Sequence, residues 1–250
     1  MSAASAGGHQ STETGLAQLR APATFAENEL EDLPEPVRWY LRASIAPGTP
    51  LAQSARLKMR GSIRQGRWWL HFRAQQILAP LHGFVWAARV GRGLLVGSDR
   101  YAHGDGTMEW KLLGLLRVLR AEGPDLAHSS AGRAGAEAVW VPTAMLPRFG
   151  VTWIAADAHH ITARYRLDNF EIELHYTLDH DARVRSIALQ RWGGHGNTGF
   201  HRFVHELTEY TTFDGVTIPS AGRGGWFNGT DRWSDAEFFR YQITDFHLVT

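Results

Sequence analysis

The stretch Ala55–Arg64 reads ARLKMRGSIR. Leu57, Met59, Gly61 and Ile63 alternate with Arg56, Lys58, Arg60, Ser62 and Arg64, so one face is dry and the other wet, the period of a strand half-buried in a sheet. Just upstream the period is helical. In FAENELEDLPEPVRWYLRASIAPGTP, a short helix is predicted over about 35–44, with Pro36 in its first turn, Pro47 and Pro50 beyond its end, and Val37, Tyr40 and Leu41 on one apolar stripe. Downstream, two-residue periodicity returns at 67–78, 83–91, 94–102 and 106–113, each run bounded by Gly, Pro or Asp signals.

The second half carries registers that can be checked. If Asp168-Asn169 is a two-residue turn, Leu167 faces Phe170, Arg166 faces Glu171 and Arg164 faces Glu173, which places two opposite-charge pairs across one hairpin. Asp214-Gly215 marks a second tight hairpin and LDHDARV a third with a longer loop. Strands at 151–156, 159–167, 170–178, 183–192, 202–213, 216–227 and 238–249 bring the total to about a dozen, in an antiparallel arrangement. Residues 1–24, rich in Ser, Gly, Ala and Thr, read as a disordered or loosely attached arm before a single domain over 25–250. Between the strand-rich halves a long helix is expected over 130–146, capped by Ser129 or Ser130 and kinked at Pro142, which would leave the carbonyl of Ala138 without its donor.

The totals narrow the function classes. The chain has 250 residues, 26 Lys+Arg against 25 Asp+Glu, and no cysteine. A balanced charge provides no field for nucleic acid, and the lack of cysteine removes disulfides, thiol catalysis and cysteine metal sites. The first residues show neither a basic segment nor an apolar one, so a cytoplasmic location is expected, and no apolar run reaches the roughly 20 residues of a membrane span. Neither a hydrolase nucleophile elbow nor a phosphate-binding or dinucleotide fingerprint is present, and no cofactor is expected. His201, His205 and Glu209 would share a helical face, but the Thr-, Phe- and Val-rich segment around them reads as a strand. There the two imidazoles stand roughly 13 Å apart at about 3.3 Å per residue, too far to share a metal.

Ten tryptophans are unusual, and several fall among strands that have no purely polar face. Trp69 shares a face with His71, Arg73 and Gln75; Phe84 and Trp86 alternate with Val85 and Arg89; Trp110 lies within the run at 106–113. Arg73 and Arg89 are either solvated residues of an outer face or cations that orient the polar end of a ligand in an apolar cavity. Glu137, in AEAVWVPTAML at 136–146, shares a helical face with Trp140, Val141 and Ala144. It is either a structural partner of Arg133, one turn earlier, or of a sheet arginine, or a poorly hydrated general acid or base.

Three segments, LPEPVRWYLR with APGTP, FRAQQILAPLHGFVWAARV and AEAVWVPTAMLP, followed by DGVTIP and ITDF, resemble an uncharacterised bacterial family with the pattern A-E-A-x-W-x-P-T-x-L-L-P. The likeness covers roughly 33–248 and departs at Trp39 and Ser220, where the family has arginine and threonine. It marks Trp86, Arg89, Glu137, Trp140, Pro142 and Thr143 without assigning them roles. The family is similar to the LolA-like carriers, which implies a mainly β fold: a strongly curved antiparallel sheet or incomplete barrel with a helix in its concave face. Lipoprotein trafficking is not carried over.

The expectation is therefore a hydrophobic or lipid-like small molecule bound between sheet and helix by Trp69, Arg73, Trp86, Arg89, Trp110, Trp140 and Thr143. A cofactor-independent cyclase or isomerase using Glu137, and a protein-interaction module, are the alternatives.

Overall fold

Turn signals at short intervals fold most of the chain into hairpins, and the hairpins join edge to edge. The computed structural model describes residues 23–193, 199–227 and 229–250 together with Gly15. The arm expected over 1–24 lies almost wholly outside the described residues. After helix α1 (Glu35–Ser44) come six strands: β1 (Ser54–Gln65), β2 (Trp68–Ala79), β3 (Gly83–Val90), β4 (Leu95–Ala102), β5 (Asp105–Leu112) and β6 (Leu116–Glu122). Helix α2 (Pro124–Ala136) and three 3-10 turns lead to β7 (Thr152–Ala155), β8 (His160–Leu167), β9 (Phe170–Leu178), β10 (Val184–Trp192), β11 (Phe200–Phe213) and β12 (Val216–Trp226). A single turn, α3 (Trp233–Ala236), precedes the last strand, β13 (Glu237–Val249).

All thirteen strands form one open antiparallel sheet in the order β6-β5-β4-β3-β2-β1-β13-β12-β11-β10-β9-β8-β7. Every neighbour in that order is also a neighbour in the chain except β1 and β13. Their seam runs from Ser54 opposite Val249 to Ile63 opposite Phe239, with a bulge at Lys58/Met59. The predicted hairpin registers hold. Leu167 faces Phe170, Arg166 faces Glu171 and Arg164 faces Glu173, the last pair at 2.6 Å, and Phe213 faces Val216 across Asp214-Gly215.

Because β6 and β7 are the two edges of the sheet, the segment between them must travel from one edge to the other. Helix α2 touches β3, β4, β5 and β6 on one arm and β9 and β10 on the other, which requires the sheet to curl toward it. The arms are also tied at one end. The Asp168 carboxylate in the β8–β9 turn accepts from the Tyr101 hydroxyl of β4 at 2.8 Å and from the Gly104 N–H at 2.9 Å. Beneath β7–β9 the core is solid: Tyr40 of α1 packs on Trp153 and Tyr176 with ring centroids 5.7 and 5.6 Å apart.

Two expectations are corrected. The long kinked helix over 130–146 is instead α2, which starts at Pro124 after Gly123 and stops at Ala136, followed by 3-10 turns at Ala138–Trp140, Pro142–Met145 and Pro147–Phe149. Val141, placed before a proline, is pushed out of the helical region to φ −128°, so the chain leaves the helix rather than bending within it. The Ala138 carbonyl is not orphaned; it accepts from Val141 N–H at 3.0 Å. Strand β6, absent from the sequence reading, is an edge strand exposed on both faces and so has no alternation to betray it.

Helix α2 lies close to the sheet because its inward residues are small: Ala127, Ala131, Gly132, Ala134, Gly135 and Ala136 are all buried. Its first turn rests on Gly106 of β5, where an added Cβ would meet the backbone nitrogen of Ala127 at 2.7 Å. Gly106→Ala is expected to cost about 1–3 kcal/mol of stability, read as a lower urea midpoint at unchanged slope, because backbone must shift to admit the methyl group.

Candidate functional site

Between α2 and the β1–β5 and β10–β13 strands lies a cavity of about 600 Å³. Its walls are largely aromatic and aliphatic, with Trp86, Trp110, Trp140, Phe203, Trp226 and Phe239 among them, and its mouth includes Val118 and Leu119, both exposed. Four charged side chains also line it: Asp99, Arg133, Glu137 and Arg191.

Three of these charges satisfy one another. The Arg133 guanidinium donates from Nε to Glu137 Oε1 at 2.8 Å and from Nη1 to Asp99 Oδ2 at 2.9 Å. Its planar face covers the rings of Phe84 and Trp86, 4.6 and 4.9 Å from their centroids. The remaining carboxylate oxygens are also engaged, Glu137 Oε2 by the Gln76 amide at 2.5 Å and Asp99 Oδ1 by the Trp110 indole at 3.2 Å. Burial pushes the Asp99 carboxyl above its ordinary range, against the pull of Arg133 and the indole. Glu137 is thus bound on both oxygens, with Arg133 one turn earlier as its ion-pair partner.

His205 is a neutral fixture of the same wall. The Ala136 carbonyl can only accept, so the Nδ1–H donates to it at 3.0 Å, and Nε2 accepts from the Tyr241 hydroxyl at 3.1 Å. Burial lowers its pKa below that of an ordinary histidine.

Arg191 differs. It is partly buried, donates from Nε to the Ser129 carbonyl at 3.0 Å, and lies over the rings of Phe203 and Trp226 at 5.1 and 4.9 Å. Among the described residues no carboxylate comes within ion-pair distance of it. Burial, with the like charge of Arg133, brings its pKa down to about 9, so it remains a cation at neutral pH. Helix α2 makes room for it: a Cβ on Gly132 would stand 2.8 Å from Arg191 Cγ.

Residues 23–238 match the model of DUF6544, described only as a family of unknown function. The chain belongs to the DUF6544 family. No curated protein matches its sequence. Solved structures similar to this DUF6544 chain include a DUF1329 family protein from Desulfovibrio piger, at 9% identity and a TM-score of 0.44 over 79% of this chain and 86% of that one. A putative outer membrane lipoprotein-sorting protein domain from Vibrio parahaemolyticus is similar at 7% identity, TM-score 0.43, over the same shares. A LolA superfamily protein from Nitrosomonas europaea is similar at 8% identity, TM-score 0.45, over 90% of this chain and 94% of that one.

Of the DUF6544 residues singled out from sequence, Trp86, Trp110, Glu137 and Trp140 converge on the cavity. Trp69, Arg73 and Arg89 occupy the opposite face. Trp69 lies under the Arg240 guanidinium at 4.4 Å, and Arg73 and Arg89 line a depression of about 830 Å³ with Arg60 and Arg92. Thr143 is fully buried and donates to the Ala52 carbonyl at 2.6 Å, away from the cavity. Asp99, Arg191 and Gln76 are not among the residues singled out from sequence, and His205 is weighed there only as a metal ligand. Two of them were legible by parity: Arg191 follows Ile187 and Leu189 on the buried side of β10, and Asp99 precedes buried Tyr101 on β4.

Arg133→Met, which strands two buried carboxylates, is expected to lose about 3–5 kcal/mol of stability by thermal or urea denaturation. Acidification supplies a second check. His205 has a lowered pKa when folded, so below about 6.5 the unfolded chain binds the extra proton and the fold loses stability as pH falls through that range. His205→Gln is expected to flatten this part of the Tm-against-pH curve, with His82 and His128, whose pKa values are also lowered by burial, supplying the remainder.

Proposed function

We propose that this DUF6544 protein binds a hydrophobic, lipid-like small molecule with an acidic end in the cavity between α2 and the curved sheet. The observation that carries the reading is an apolar cavity of ligand size in which Arg191, unlike Arg133, has no carboxylate partner among the described residues. An open, largely apolar cavity of this size with a few charged groups in its wall is the usual setting of a small-molecule site. A partly buried guanidinium without a counter-ion is unfavourable until an anion reaches it. The aromatic walls would hold the apolar body, and the Arg191 fork would take a carboxylate or phosphate in two parallel hydrogen bonds.

A cyclase or isomerase reading needs a carboxyl free to exchange a proton with substrate, and both oxygens of Glu137 are already occupied within the wall. Binding is the function that the geometry favours.

The test is displacement of a fluorescent apolar probe from purified, delipidated protein, with native mass spectrometry to count bound molecules. A long-chain carboxylic acid is expected to displace the probe at a concentration about tenfold or more below that of the matching alcohol, the value of a charge-assisted hydrogen bond. Arg191→Met should remove that preference, leave the alcohol unaffected, and keep or raise the Tm of the empty protein. Absence of any probe binding would sink the reading.

A further inference from the structure

The cavity opens toward one end of the first meander, and that end is built unlike the rest of the surface. The turns at 65–68, 90–95 and 112–116 all lie at this end, because alternate connections of an antiparallel meander share a side. The last two are joined directly, Leu113 N–H donating to the Leu94 carbonyl at 2.7 Å. Their tips carry large apolar side chains turned to solvent: Trp68 is 63% exposed, Leu94 51%, Leu113 65%, Leu115 87% and Leu116 64%. A soluble surface rarely gathers so many on one rim without a partner.

The charge of the rim is of one sign. These turns contain no Asp or Glu, and each carries or adjoins an arginine: Arg67, Arg92 and Arg117. None of the three forms an ion pair among the described residues, whereas Glu109 of β5 is already matched with Lys111 at 3.0 Å. Arg67 lies over the Trp68 ring at 4.9 Å, the pairing of a cation with an amphipathic aromatic that suits a water–lipid boundary.

We propose that this rim docks on the surface of an anionic lipid bilayer, with Trp68 and the leucines entering the apolar boundary and the arginines meeting the headgroup phosphates. Charge complementarity selects a lipid surface over a second copy of the chain. Two copies would bring like charges together, and the free edge of β6 is broken by a bulge beside Lys111 that spoils it for strand addition. Val118 and Leu119 connect rim to cavity, so a docked molecule would hold its mouth against the bilayer. Adsorption itself does not require an occupied cavity, and the proposal stands or falls separately from the binding reading.

The test is flotation of the full chain with vesicles of phosphatidylcholine mixed equally with phosphatidylglycerol, and with vesicles of phosphatidylcholine alone. Association is expected with the mixed vesicles, weakening in high salt and on pure phosphatidylcholine. Arg117→Gln should reduce partition about fivefold. The double variant Leu115→Asp/Leu116→Asp should reduce it at least about tenfold, the value of burying one leucine, while keeping the circular dichroism, Tm and probe binding of the parent. The proposal is overturned if the parent ignores both vesicle types, if the double variant still floats, or if the parent is a dimer in solution that the double variant dissociates.

Discussion

The pairing of β1 with β13 is the constraint on which the architecture rests. Every other strand contact joins strands consecutive in the chain and closes little loop entropy, while this one brings the first strand to the last across nearly the whole domain. Once it forms, two meanders become a single sheet whose free edges are β6 and β7. The chain must then cross from one edge to the other, and α2 with its 3-10 turns is that crossing. The interior element is therefore a strap required by connectivity, and the space beside it is what remains where small Ala and Gly side chains, rather than large ones, face the strands.

That space is electrostatically uneven. Around Arg133, two carboxylates, an amide and an indole are arranged so that each carboxylate oxygen has a donor and the guanidinium faces rest on aromatic rings. Taking such a group out of water is costly, and only a nearly complete set of partners offsets it. The arrangement also ties α2 to β2 and β4, so it orients the strap as well as stabilising it. Arg191, across the same cavity, is held by one backbone carbonyl and two rings. The two cations on opposite sides of the cavity thus differ in how completely their donors are matched.

Much of the sheet was legible in the chain because hairpins are local. Asp168-Asn169 and Asp214-Gly215 set their registers within a few residues, and the residues they pair were readable from charge and alternation alone. Helix α1 was equally plain, its apolar stripe and flanking prolines agreeing. Legibility failed where the local signal was weak or shared between states. Edge strand β6 buries neither face, and the Ala-rich run through Glu137 fits a longer helix until the residue before Pro142 is considered. Half of the site followed suit: Trp86, Trp110, Glu137 and Trp140 were drawn from motif and composition, while Trp69, Arg73 and Arg89 stand on the other face of the same strands.

The sequence by itself determined all the strands but β6, the tight turns at Asp168-Asn169 and Asp214-Gly215, which side chains alternate, and the membership of α1, because these depend on interactions spanning few residues. Tertiary structure alone decided that β1 meets β13, that α2 crosses between the arms, and that Asp99, Gln76 and Glu137 converge on Arg133 while Arg191 stays apart. Those outcomes depend on contacts between residues far apart in the chain, and no local period or propensity records which distant partner a buried charge will find.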